Sequence, residues 1–370
     1  MLNMKTGFFG GAFDPFHSEH KALIVHAREQ FGLDKVVVYP SYLPPHKKCS
    51  GEFDGRFAAA VAGTADLDYV TVDDIEGKNN EQNPTYKTLP KLKEKYPSDE
   101  YYFIIGGDSM RNFSTWLKPE EVARQAIILV AGRADKDIDE AIAHAKTAYN
   151  ADVRKIDYVG KEVSGTIIRA KLEMLSYADE LSPEVYEVIK KRGMYHRFAD
   201  IVETLSSDIP EKTFKHAKRT VLYAMKLNES LKLDFDKVFL ASLLHDCAKH
   251  IKVDMDGVPA PVTHQYTGAE RAREKYGITD EEILNAIRFH TSGKPAMTTL
   301  EKLVFCADML EEGRAYEGVE ELRNIIEKDF EKGFVACVTS SMKKLIADGN
   351  PFYYLTKDCY LYYTDNDLRL

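Results

Sequence analysis

Short, strongly apolar runs alternate with amphipathic stretches through the first half of the chain, and helical periodicity takes over in the second. The runs at residues 6–9, 36–39, 69–72, 101–105 and 127–130 have the length and continuity of parallel strands covered on both faces. An amphipathic pattern behind the first run predicts a helix to about Phe31, and another is expected near residues 137–149. Strand, helix and strand in this order form a βαβ unit, which places ligands beyond the carboxyl ends of its strands. Past Tyr195 the alternation stops, and residues 211–231 and 236–250 read as amphipathic helices. The expected architecture is an α/β domain over residues 1–195 and an all-helical domain over 196–370, with the boundary near residues 194–200.

A chain of 370 residues suits two domains, and 44% hydrophobic residues let each bury its own core. Five cysteines, an odd number without a CxxC pair, point to a reduced, cytoplasmic protein. No apolar run approaches the ~18 residues of a membrane span, and residues 1–5 lead into a strand without a signal-peptide pattern. A net charge of −9 argues against non-specific binding of long nucleic acid but leaves small anionic substrates open. The tail over residues 352–370, rich in tyrosine and acid, is expected to pack on one domain or on a second copy in a homo-oligomer.

The chemistry of the first half gathers at Gly10-Gly11-Ala12-Phe13-Asp14-Pro15-Phe16-His17-Ser18-Glu19-His20. Glycines at a strand end let backbone N–H groups approach an anion, and a helix N-terminus behind them adds favourable partial charge. His17 and His20 share the first helical turn and can donate to charge that builds on a leaving pyrophosphate. The bland alternative is a capping turn with two surface histidines. The string resembles the (H/T)xGH signature of nucleotidylyltransferases, in the GG(T/S)FDPxHxGH form of nicotinate-nucleotide adenylyltransferases. Val163-Ser164-Gly165-Thr166-Ile167-Ile168-Arg169 is similar to that family's I-S-S-T-x-I-R signature. Leu181-Ser182-Pro183 through Arg192-Gly193-Met194-Tyr195 is similar to its closing pattern.

The resemblance implies a Rossmann-like α/β nucleotidylyltransferase fold and adenylyl transfer. The phosphate of nicotinate mononucleotide attacks the α-phosphorus of ATP in the presence of Mg²⁺, and pyrophosphate leaves. It implies ATP contacts from Gly10, Gly11, Phe13, His17, His20, Ser164, Thr166 and Arg169, with His17 and His20 catalytic. For the mononucleotide it implies His46 and Lys47 of a PPHK segment, Thr85 and Tyr86 of a P-S-Y-T-type segment, Asp108, and Trp116 stacked on the pyridine ring. A solvated basic loop and a core tryptophan are the competing readings of His46, Lys47 and Trp116. Ala12, Glu19 and Gly165 depart from the family pattern near the triphosphate. They motivate one alternative, a nucleotide sensor without turnover. The stretch from Tyr86 to Tyr96-Pro97, about two residues short of the family pattern and without its usual acidic position, leaves nicotinamide mononucleotide as a second acceptor.

In the second half, His245-Asp246 ends an apolar run, and Asp308 lies within another. Buried carboxylates are costly unless paired or bound to metal. With His216, His264 and His290 these residues give the order H…HD…H…H…D, which resembles HD-domain metal phosphohydrolases. The strings from Ile287 to Pro295, Ala307-Asp308 and Arg314-Ala315-Tyr316 resemble the bacterial HD family of symmetrical diadenosine tetraphosphate hydrolases. That resemblance implies an all-α HD domain with two metal ions, iron, manganese or similar. His216, His245, Asp246 and Asp308 would hold one ion and His264 and His290 the other, with Asp246 bridging. Asp246 is catalytic in this reading, Lys249 and Arg314 contact the polyphosphate, and Cys247 and Cys306 pack rather than ligate. An interaction scaffold is the non-enzymatic alternative, and it leaves the buried acids unexplained.

Overall fold

In the computed structural model, described over residues 4–44, 49–77, 83–131, 136–161, 163–349 and 352–364, the chain divides into two compact units. One comprises Met1–Leu172 and Tyr177–Arg197, the other Glu173–Ser176 and Phe198–Leu370. The segment Glu173–Ser176, assigned to the first half from sequence, groups with the second.

Six parallel strands build the first unit: β1 (Lys5–Gly11), β2 (Lys35–Pro40), β3 (Val70–Val72), β4 (Glu100–Ile105), β5 (Ile127–Ala131) and β6 (Val153–Ile156). They line up as β3-β2-β1-β4-β5-β6, a Rossmann-like sheet. Phe8, Val37, Phe103 and Ile128 enter one core, and Phe9, Val38, Ile104 and Leu129 the other. Burial on both faces is why these strands are apolar without alternation. β6 is not evident in the sequence because its middle residues, Arg154 and Lys155, are exposed, leaving Val153 and Ile156 as its apolar mark.

The strand order reverses between β1 and β4, and sheets of this kind bind ligands in the crevice at such a reversal. Gly10-Gly11 end β1 and Gly106-Gly107 follow β4. Gly10 pairs with Tyr39 on β2, and a Cβ there would lie 2.4 Å from the Tyr39 ring. Helix α1 (Ser18–Phe31) starts behind the β1 turn and closes at Gly32, whose φ of 64° lets its N–H reach the Arg28 carbonyl. Then follow α2 (Phe53–Gly63), α3 (Thr85–Lys95), α4 (Gly107–Arg111), α5 (Pro119–Ala123), α6 (Lys136–Tyr149), α7 (Gly165–Glu173) and α8 (Pro183–Lys191). Ala59, Ile168, Leu172, Val185 and Ile189 join α2, α7 and α8 in a third apolar cluster.

The second unit is helical: α9 (Ala199–Asp208), α10 (Glu211–Leu231), α11 (Phe235–Leu244), α12 (Thr263–Glu274), α13 (Glu281–Arg288), α14 (Thr299–Leu310), α15 (Val319–Lys328), α16 (Phe330–Ala347) and α17 (Tyr354–Thr364). The helix expected to run to His250 stops at Leu244, because tight turns replace it: Cys247 N–H closes on the Leu244 carbonyl and Lys249 N–H on that of Asp246. The described part of the tail, to Thr364, packs on its own unit. Tyr363 accepts the Met297 N–H at 2.6 Å, and its ring meets Phe334 edge-on at 4.8 Å. Among the described residues, no helix is long and apolar enough to cross a membrane.

Candidate active sites of the two units

The first unit presents its histidines from the turn between β1 and α1. His17 caps α1 and is 9% exposed; its N–H donates to Nδ1 of His20 at 3.2 Å, and the two rings stack 3.6 Å apart. With Nδ1 accepting, the His20 proton resides on Nε2, the donor form that an oxyanion requires. Asp14 fixes the turn from below: it accepts the N–H groups of Ser50 and Gly51, both at 2.9 Å, and the Tyr195 hydroxyl at 2.7 Å. Arg56, buried in α2, donates to the carbonyls of Ala12, Tyr42 and Gly51. Sequence reading missed Arg56; an arginine inside the apolar stretch of α2 was the available signal.

Arg169 brings the two distant strings together. Its Nη1 donates to the Asp14 carbonyl at 2.7 Å and its Nη2 to the Thr166 hydroxyl at 3.1 Å, both from α7. Ser164 caps α7 by accepting the Ile167 N–H. Phe13 keeps its side chain in the core, 2% exposed between Phe9 and Phe16, which leaves its main chain to face a ligand. Glu19, the least expected residue of the turn, accepts the Tyr158 hydroxyl at 2.9 Å and the Lys161 N–H at 3.0 Å.

Thr85 and Tyr86 open α3, where the Tyr86 carbonyl accepts the Gln125 amide. Asp108 stands exposed in the first turn of α4 and pairs with Arg111. Trp116 is half-buried and packs on Phe113 at 5.3 Å and Phe103 at 6.1 Å, so it belongs to the core rim. His46 and Lys47 lie outside the described residues.

Glu76 was also missed. It is 4% exposed, accepts the Thr88 hydroxyl of α3 at 3.0 Å and the Tyr42 N–H at 3.3 Å, and so ties the β2 loop to α3. Burial pushes its carboxyl from 4.5 up to about 7. The folded unit thus holds a proton that the unfolded chain releases, so this contribution is complete below pH 4.5 and is lost as pH rises to about 7. Glu76→Gln should flatten the fall in melting temperature over that window and stabilise the unit above pH 7 by up to roughly 3 kcal/mol. Parallel slopes for the two proteins in thermal melts across pH would refute this.

In the second unit five helices converge. His216 comes from α10, His245-Asp246 from the end of α11, His264 from α12, His290 from the end of α13 and Asp308 from α14. The His245 Nδ1 donates to the Ser242 carbonyl and that of His290 to the Ile287 carbonyl, both at 2.7 Å, which turns each Nε2 lone pair inward. Asp246, 1% exposed, stands between two imidazole pairs. Its Oδ2 lies 3.5 Å from His245 and 3.7 Å from His216, its Oδ1 3.3 Å from His264 and 3.5 Å from His290. Asp308 lies 2.8 Å from Nε2 of His216.

This donor set fits metal ions. Asp246 Oδ1 is buried without a well-formed hydrogen bond, and Nε2 atoms face each other at 3.2 Å (His216 and His245) and 3.1 Å (His264 and His290). Where both rings keep their proton on Nδ1, the two Nε2 lone pairs meet at that range, and a cation between them relieves the repulsion. Burial alone would lower His245, yet the Asp246 carboxylate drives it up to about 10, a proton standing in for the positive charge the acids demand. Two clusters with metal-binding geometry result: His216, His245 and Asp308, and His245, Asp246 and His290. Lys249 reaches Asp246 at 2.6 Å and Arg314 reaches Asp308 at 2.5 Å, so both cations stand at the cluster. Cys247 donates to the Gly268 carbonyl, and neither it nor Cys306 belongs to either cluster.

Two further residues were not read from sequence. Thr291 places its hydroxyl 2.9 Å from Nε2 of His290 and 3.1 Å from that of His264. Glu311, 1% exposed and one turn beyond Asp308, accepts Nδ1–H of His216 at 3.1 Å while held by Arg219 at 2.5 Å. Glu311→Gln weakens the acceptor that orients His216, so metal retention against a chelator should fall about tenfold or more. Unchanged metal content would refute that role.

Residues 8–171 match the cytidylyltransferase-like family and residues 213–313 the HD domain family. A Lachnoclostridium phytofermentans protein named "Probable nicotinate-nucleotide adenylyltransferase" is 34% identical, over 52% of this chain and 98% of its own length. A Mycoplasma genitalium protein named "Probable nicotinate-nucleotide adenylyltransferase/Ap4A hydrolase" is 25% identical, over 85% of this chain and 90% of its own. A solved Clostridium acetobutylicum structure, described as a predicted HD superfamily hydrolase involved in NAD metabolism, aligns at 29% identity over 46% of this chain and 98% of that one, with a TM-score of 0.43. The chain belongs to the nicotinate-nucleotide adenylyltransferase family, its nucleotidyltransferase domain continued in the same polypeptide by an HD domain.

Proposed function

We propose that the chain is bifunctional. The first unit transfers the adenylyl group of ATP to nicotinate mononucleotide, giving deamido-NAD and pyrophosphate. The second hydrolyses dinucleoside polyphosphates of the diadenosine tetraphosphate type to nucleoside diphosphates with two metal ions. The joint reading draws on the Mycoplasma genitalium relative, whose name couples both activities and whose alignment spans both units.

For the transferase, the carrying observation is Arg169 bonded to Asp14 beside His17 and His20. His20 through Nε2–H, His17, Thr166 and Arg169 would hold the departing pyrophosphate with Mg²⁺, while Ser164 and the Gly10-Gly11 backbone grip phosphate oxygens. The attacking phosphate is already ionised, so the reaction needs alignment and charge stabilisation rather than a base, and no covalent intermediate forms. His46, Lys47, Thr85, Tyr86, Asp108 and Trp116 would receive the mononucleotide.

For the hydrolase, the carrying observation is Asp246 placed between the two imidazole pairs. When bound, the ions supply Lewis acidity toward phosphate oxygens and an acidified water. Asp246 would stand between the two ions, His216, His245, His264 and His290 would hold them, and Asp308 would balance the charge beside His216. Lys249 and Arg314, partly exposed, would turn from their carboxylate partners to the polyphosphate bridge. Five cysteines, an odd number without a CxxC pair, suit a reducing, cytoplasmic setting.

The test is pyrophosphate release from ATP, Mg²⁺ and nicotinate mononucleotide by the full-length Asp246→Ala protein, in which hydrolysis cannot blur the signal. Release that depends on nicotinate mononucleotide supports the transferase. Release only with nicotinamide mononucleotide reassigns the acceptor. ATP binding without release for either acceptor makes the first unit a sensor.

A further inference from the structure

Glu19 occupies the position between the two histidines where the family signature has glycine, and a carboxylate there would repel a triphosphate. In this chain it is engaged elsewhere. A single oxygen, Oε2, accepts both the Tyr158 hydroxyl at 2.9 Å and the Lys161 N–H at 3.0 Å. Gly160 leaves the space that this oxygen fills, since a Cβ at 160 would lie 2.5 Å from it. Tyr158 is seated in turn by His26 of α1, the rings stacked at 4.3 Å. Burial, reinforced by the bond to Glu19, pushes the phenol up to about 12, so Tyr158 remains the donor. Residues 158–161 lead from β6 towards α7, the helix that carries Thr166 and Arg169. Arg169 holds α7 to Asp14 ahead of the histidines, and Glu19 holds the approach to α7 from between them.

We propose that Glu19 is a positioning residue for adenylyl transfer: it tethers the loop before α7 to the first turn of α1, so that the donors of both elements meet one triphosphate. The departure from glycine is then a gain of structure, matched by Gly160, rather than a sign of lost activity. This inference rests on the adenylyl-transfer reading.

Three full-length variants test it, through ATP kinetics and through hydrogen–deuterium exchange of the peptide spanning residues 157–164. Glu19→Gln keeps one carbonyl oxygen able to accept both bonds and should stay within about twofold of the parent in both readouts. Glu19→Gly should raise KM for ATP about tenfold, with a smaller change in kcat, and speed exchange in the loop. Gly160→Ala should do the same by pushing aside the flexible end of Glu19 without disturbing backbone, and it carries the test if Glu19→Gly folds poorly. Unchanged exchange and KM in Glu19→Gly and Gly160→Ala would overturn the tether, as would Glu19→Gln being as impaired as Glu19→Gly, which would make charge the cause. A parent protein without acceptor-dependent release would instead overturn the adenylyl-transfer reading, while exchange would still decide whether the tether exists.

Discussion

Asp246→Ala is expected to abolish hydrolysis of diadenosine tetraphosphate, by at least about a thousandfold, and to leave adenylyl transfer untouched. The size follows from what this one carboxylate does. It lies within 3.3–3.7 Å of four imidazoles, so under the two-metal proposal its loss would remove a ligand from both metal positions and the negative charge that would balance them. Two-metal catalysis is worth several kcal/mol, and each 1.4 kcal/mol is about tenfold in rate. Metal content measured on the purified variant should fall together with release of ADP. A variant that keeps two ions and its turnover would show that Asp246 is not the shared ligand. Asp246→Asn, which keeps the shape but loses the charge, should sit near the alanine variant, because the imidazole pairs need an anion between them.

The second large effect is expected for His20→Ala, a fall in kcat for pyrophosphate release of about a hundred- to a thousandfold, with KM for ATP changed far less. Donors aimed at developing charge act chiefly in the transition state, and removing one costs that much in oxyanion sites. His20 also accepts the His17 N–H and stacks on its ring, so its removal loosens the second histidine as well. Steady-state kinetics with saturating nicotinate mononucleotide separate the two parameters. A variant within threefold of the parent in kcat would remove the histidine turn from the chemistry.

What could be read in the sequence, and what could not, follows from where each signal resides. Both-face burial writes continuous apolar runs, so β1, β2, β4 and β5 stood out. β6 did not, because half of its four residues face solvent. Metal-type residues within apolar helices, such as Asp308 between Ala307 and Met309, are conspicuous because nothing else explains a carboxylate there. The residues that orient them are not: Glu311 and Arg219 look like ordinary surface charges until the fold sets one against His216. Arg56 and Glu76 were hidden for the same reason, since the fold supplies their partners: the Ala12 and Tyr42 carbonyls for Arg56, the Tyr42 N–H and the Thr88 hydroxyl for Glu76. Glu19 read as a repulsive intruder because its partners, Tyr158 and the Lys161 N–H, lie some 140 residues away. The end of α11 was misplaced because local turns, not composition, stop it.

Bifunctionality is tested most directly by running both reactions on the same full-length preparations of the parent, His20→Ala and Asp246→Ala. The parent should convert ATP and nicotinate mononucleotide to deamido-NAD, and diadenosine tetraphosphate to ADP alone. His20→Ala should lose only the first reaction and Asp246→Ala only the second. Loss of both reactions in either variant, or AMP with ATP as the hydrolysis products, would contradict two independent sites with symmetrical cleavage.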